Sequence, residues 1–85
     1  MIKTYWEKAG KIDALQWTGE NIDEVEGFAP ELIYTVHKGR IRPNLTIYPH
    51  CEPLDVGDYI TKNMFNEIFS CKQDIFPQDY EEVGE

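Results

Sequence analysis

The stretch from Leu54 to Tyr80, LDVGDYITKNMFNEIFSCKQDIFPQDY, limits the possible folds of this chain more than any other. An apolar pair leads into Gly57-Asp58, where glycine supplies turn geometry and the aspartate side chain can bond to nearby amides. An apolar strand follows, then a polar reversal over Asn63 to Asn66, a second apolar strand through Cys71, and a closing segment with Ile75, Phe76 and Tyr80. The pattern predicts a hairpin with a lid, in which Lys72 to Tyr80 folds back over the open end of a sheet and Cys71 is a small buried hydrophobe.

The chain before this stretch supplies the partners. Ile12 to Trp17 carries Ile12 and Ala14 on one face and Leu15 and Trp17 on the other, so the strand needs cover on both sides. Asn21 with Glu24 makes a capping-box-like pair, and Ile22, Val25 and Phe28 recur at helical spacing. Pro30 stops that helix, so it is short and lies near 21–29. Leu32 to His37 alternates, Lys38-Gly39 reads as a hairpin turn, and Ile41 to Tyr48 returns. Pro43 cannot donate to a ladder, which puts that strand at an edge or starts it at Leu45. The fold expected is α+β: a small antiparallel, strongly curled sheet, a partial barrel, with one short helix packed on it. Residues 1–85 form a single domain, with a tail that frays from about 81.

Charge bounds the partners. Sixteen acidic residues against eight basic ones give a net charge of -8, which argues against binding a phosphate backbone or an anionic membrane. No run approaches the roughly 20 apolar residues of a membrane span, and the N-terminus lacks the apolar run of a signal peptide. A reducing compartment is therefore expected, with Cys51 and Cys71 as free thiols.

Chemistry-bearing patterns are sparse. His37, His50, Cys51 and Cys71 lack the spacing of a structural zinc site, so no metal is expected. Ser70 is the only serine and has no nucleophile elbow around it; no Gly-rich phosphate loop or other cofactor signature occurs. The expectation is a protein that is not an enzyme and carries no cofactor. Two charged groups remain. Glu20, Asp23, Glu24, Glu26 and Glu31 form one acidic run, and Asp74, Asp79, Glu81, Glu82 and Glu85 form another; they are either solubilising or, with Asp79, Glu81 and Glu82 joining the first run, an acidic face suited to a basic groove. His37, Lys38, Arg40 and Arg42 cluster at the hairpin tip, either as a solvated turn or as an anion clamp. Of the adjacent Tyr5 and Trp6, one ring should be exposed and is a candidate binding anchor.

Two blocks carry a family resemblance. KIDALQWTGENIDEVEGF is similar to an Ala-x-Gln-Trp-Thr-Gly strand running into an Asn-x-x-Glu-Val helix, and LDVGDYITKN with EIFSCKQDIFPQDYEEV is similar to a Gly-Asp-Tyr-Ile strand followed by Cys-Lys-x-Asp-Ile-Phe and a Tyr-Glu pair. Together they cover over half the chain and resemble a group of small, uncharacterised phage and prophage proteins. This chain departs from the group in three places: Val56 and Gln73 stand where it usually has proline, and Asn63 to Asn66 replace a Gly-containing turn. The resemblance implies a phage-encoded protein in the host cytoplasm, and no activity comes with it. Combined with the charge, it leads to an accessory protein that binds and occludes a host protein, a defence or nucleic-acid-handling factor, through an acidic surface. The alternatives are a small-molecule or nucleotide-signal sponge using the Lys38 to Arg42 turn, and a virion structural or assembly module. Oligomeric state is left open.

Overall fold

A computed structural model describes residues 2–7 and 10–82. Its elements in chain order are β1 (Ile2–Glu7), β2 (Gly10–Gln16), α1 (Ile22–Phe28), β3 (Tyr34–His37), β4 (Arg40–Pro43), β5 (Tyr59–Lys62), β6 (Ile68–Cys71), α2 (Phe76–Asp79) and β7 (Glu81–Glu82). The fold is α+β. Its antiparallel strands make one five-stranded sheet in the order β6-β5-β2-β1-β7 and a separate β3-β4 hairpin. This corrects the expectation of a strongly curled partial barrel: the larger sheet is open, with β6 and β7 as its edges, and the second hairpin packs as its own layer.

β2 is the central strand and is apolar on both faces for the reason its sequence predicts. On one face Leu15 lies beside its cross-strand partner Ile60, and these join Trp17, Val25, Phe28, Leu32, Ile41, Leu54 and Ile68 in a continuous core under α1 and the β3-β4 hairpin. On the other face lie Ile12 and Ala14, also buried, with Tyr5 opposite Ile12 and Tyr59 opposite Gln16. Phe76 closes this second face: its ring stacks on Tyr59 at 3.8 Å between centroids and meets Tyr5 edge-on at 4.7 Å. The lid expected from Lys72 to Tyr80 therefore covers a face of the sheet rather than an open end. It carries the one-turn α2, which the sequence reading did not predict.

Three local details depart from expectation, each with a physical cause. Asn21 does not cap α1 with its side chain. Its Oδ1 instead accepts from the Thr18 amide at 2.9 Å and its Nδ2 donates to the Gln16 carbonyl at 2.8 Å, which fastens the helix start to the end of β2. At the other end of α1 the Lys62 ammonium donates to the Phe28 carbonyl and lies 5.2 Å over the Phe28 ring, a cation where the helix terminus favours one.

Pro43 is the last residue of β4, and the return strand runs Arg40–Pro43, not from Leu45. Ile41 exchanges two hydrogen bonds with Leu54, at 3.0 and 2.8 Å, on the side of β4 away from β3. Ile41 and Val36 are therefore a non-hydrogen-bonded pair of the hairpin, and so are Pro43 and Tyr34 two residues on. Proline is tolerated there because its missing N–H was not owed to the ladder. Beyond it, Leu45 to Tyr48 turns back around Asn44, whose carbonyl accepts from the Ile47 and Tyr48 amides.

The tail expected to fray from about 81 begins with Glu81–Glu82, which pair with Trp6 and Tyr5 of β1. Residues 83–85 lie outside the described residues.

Replacing Phe76 with alanine removes the cover from one whole face of the sheet and should cost about 3 kcal/mol. Ile75→Ala, at a neighbouring exposed position, should cost under about 0.5 kcal/mol. Urea denaturation of the two variants measures the difference.

Candidate functional site

The Gly57-Asp58 turn organises the region from which the basic hairpin projects. Asp58 is only 2% exposed. Its Oδ2 accepts from the Asp55 amide at 2.9 Å and from the Lys72 ammonium at 3.0 Å, and its Oδ1 accepts from the Gln73 amide at 3.1 Å. Burying a carboxylate is costly unless several donors meet it, and three do. A proline at position 73 could not donate the last of these bonds. The expected reversal also holds without glycine, because Asn66 takes a φ of 61° and Asn63 Oδ1 accepts from the Phe65 and Glu67 amides. The same turn returns two bonds to the end of β2, from the Trp17 amide to the Asp58 carbonyl and from the Gly57 amide to the Trp17 carbonyl.

The basic hairpin is held against this turn. Lys38 and Gly39 both have positive φ, 52° and 76°, the backbone of a two-residue hairpin turn whose twist matches its strands. Buried Trp17 donates its indole N–H to the Gly39 carbonyl at 2.7 Å, and Arg40 forks onto Asp55 through bonds of 2.6 and 3.1 Å. The guanidinium holds the Asp55 carboxyl below the usual carboxylate range, and Asp55 in turn raises Arg40. Of the four residues expected to form an anion clamp, Arg40 is therefore already committed to an acid of its own chain. His37, Lys38 and Arg42 remain exposed. By register, His37, Arg40, Thr35 and Arg42 share one face of the hairpin, while Tyr34, Val36, Ile41 and Pro43 share the other.

The acidic residues fall into two places. Glu20, Asp23, Glu24, Glu26 and Glu31 are all exposed along α1 and its flanks. Glu31 stands 3.9 Å from Lys62, and Glu26 accepts from the Tyr34 hydroxyl at 3.5 Å. Burial, with the Glu26 charge beside it, pushes the Tyr34 phenol up. The backbone carrying Asp79, Glu81 and Glu82 belongs to other elements, α2 and β7. α1 packs on the Leu15 face of the sheet, whereas α2 packs on the Ile12 face and β7 joins the far edge.

Of the other candidates, Trp6 is the exposed member of its pair, at 46%, with the Lys11 ammonium 5.1 Å over its ring; Tyr5 is half-buried against Phe76. Ser70 Oγ accepts from the Glu52 amide at 2.6 Å, a structural bond at the outer side of β6. Among the described residues no three His, Cys, Asp or Glu side chains converge as metal ligands, and no helix is long and apolar enough to cross a membrane. Sequence reasoning missed Arg40's partner, since Asp55 lies fifteen residues away with no spacing to betray it.

Neither cysteine forms a disulfide, and the buried one is Cys51; Cys71, expected to be buried, is half-exposed on the Tyr59 side of the sheet. Burial pushes the Cys51 thiol up to about 11. No family model, curated protein or solved structure matches the chain.

The raised Cys51 value means that the folded protein holds this proton more tightly than the unfolded chain. The associated stability is intact below pH about 9 and is lost as pH rises through about 11. A thiol-reactive chromogen at pH 8 should label Cys71 promptly and Cys51 only on unfolding; equal rates at the two sites would contradict the assignment.

Proposed function

We propose that this chain is a non-enzymatic accessory protein that binds a host protein by laying the acidic exposed side of α1 into a basic groove, occluding it. One observation carries the reading: five carboxylates, Glu20, Asp23, Glu24, Glu26 and Glu31, occupy exposed positions along one short segment with no basic residue between the first and the last. A row of fixed negative charge on a supported helix competes for the lysines and arginines that would otherwise meet phosphates. The partner class that follows is a nucleic-acid-handling or defence protein, and the motif resemblance makes phage origin and a host-cytoplasmic setting part of the same proposal. The proposal rests on the row along α1 and its flanks; Asp79, Glu81 and Glu82 are carried by α2 and β7. The anion-clamp alternative is weakened at the hairpin, because Asp55 fills the fork of Arg40.

The test is capture from a bacterial host lysate on the immobilised protein, alongside a variant carrying Glu24→Lys, Glu26→Lys and Glu31→Lys. The wild type should retain basic proteins, and retention should fall steeply as screening shortens from about 10 Å at 0.1 M salt to about 3 Å at 1 M. The reversed variant should lose them. Capture that ignores both salt and charge reversal would refute the electrostatic mechanism.

A further inference from the structure

β3 presents a strand edge to solvent. Among the described residues it pairs only with β4, and Thr35, Val36 and His37 along it are all exposed, Val36 at 47%. The direction of its free backbone groups follows from the hairpin register. Because Ile41 spends its N–H and C=O on Leu54, its partner Val36 points its own N–H and C=O to the opposite, outer side; Tyr34, opposite Pro43, does the same. Ile33 confirms the alternation, its carbonyl accepting from the Asn44 amide at 2.8 Å on the inner side. Two donor-acceptor pairs at two-residue spacing thus face outward, which is the template an added strand requires.

The side chains flanking this edge select the added strand. On one face His37 and Thr35 line the edge, with Arg42 behind the short Thr35 side chain and long enough to reach over it; Lys38 stands at the tip. On the other face lie Tyr34 and Val36. At the Tyr34 end the edge opens into a groove of about 510 Å³ lined by Ala29, Pro30, Leu32, Ile33, Tyr34 and Glu26. A strand laid along β3 sets alternate residues against these two faces: acidic side chains opposite Thr35 and His37, apolar ones opposite Val36 and Tyr34. Self-pairing of two antiparallel β3 edges about Thr35 would instead put the Arg42 side chains of both copies on one face, a like-charge arrangement.

The geometry points to β3 as a docking edge for an extended segment of another protein in which acidic and apolar residues alternate, added to the hairpin as a third strand. The site rests on a different element and the opposite charge from the reading of α1; the two share only Glu26, which lines the groove at the Tyr34 end.

The test uses the whole protein and a capped synthetic peptide of about eight residues alternating glutamate and valine, long enough to span the edge. At saturating peptide the Tyr34 and Val36 amides should shift and slow their hydrogen exchange, while the lysine-valine counterpart should leave them unchanged. Arg42→Glu should weaken the acidic peptide by about fivefold or more and admit the basic one. Thr35→Glu, on the same exposed face, serves as a second variant should the first disturb the fold. Unchanged exchange at Tyr34 and Val36 with the acidic peptide, or equal binding of both peptides, would overturn the proposal. So would protection of these two amides that rises with protein concentration alone, which would assign the edge to a second copy.

Discussion

The buried carboxylate of Asp58 is the interaction on which the arrangement of the molecule depends. It receives donors from its own turn, from the Lys72 side chain and from the Gln73 backbone, while its carbonyl receives the Trp17 amide. Lys72 also donates to the Pro53 carbonyl at 2.8 Å, so the segment before the turn and the segment after β6 are tied to one another through the same pair of charges. A carboxylate this buried is stabilising only while its donors stay in place, which makes the turn intolerant of displacement. Gly57 reinforces the constraint. Its φ of +102° disfavours a side chain, and the Gln73 carboxamide occupies the space a Cβ would need.

Both faces of the sheet inherit their order from this point. The chain leaves Asp58 to form β5, returns as β6, and comes back to Asp58 at Lys72 and Gln73 before delivering Phe76 onto Tyr5 and Tyr59. On the other side, Asp55 holds Arg40, Leu54 bonds to Ile41, and Trp17 holds Gly39. The basic hairpin is therefore fixed from three residues in or next to the same turn, and its β3 edge is left outward. α1 is fixed separately, by Asn21 at its start and Lys62 at its end, so the acidic row and the strand edge are supported by different contacts of one scaffold.

What the sequence made legible is what local chemistry decides. Apolar residues on both faces of β2 announce a strand covered twice; Lys38-Gly39 and Gly57-Asp58 announce turns; Ile22, Val25 and Phe28 with Pro30 announce a short helix. Strand order was not legible, because it rests on pairings between distant segments, such as Asp13 with Lys62. α2 was too short to show a period, and Pro77 near its start reads equally as a loop. For the candidate site, the residue types were legible and their grouping was not. The two acidic runs look alike in sequence, and only the fold shows that α1 packs on one face of the sheet while α2 packs on the other. Arg40 likewise reads as a free cation until the fold brings Asp55 to it.

Native-state hydrogen exchange on Asp58→Asn tests the central claim most directly. The substitution keeps the shape and removes the charge that Lys72 and the two amides meet. Loss of these bonds should cost about 2 kcal/mol, and the amides of Asp55, Trp17 and Gln73 should lose protection together, while the β1-β2 ladder keeps its own. If the Gln73 and Trp17 amides retained wild-type protection in the variant, Asp58 would not be the tie between the turn, the core and the covering segment.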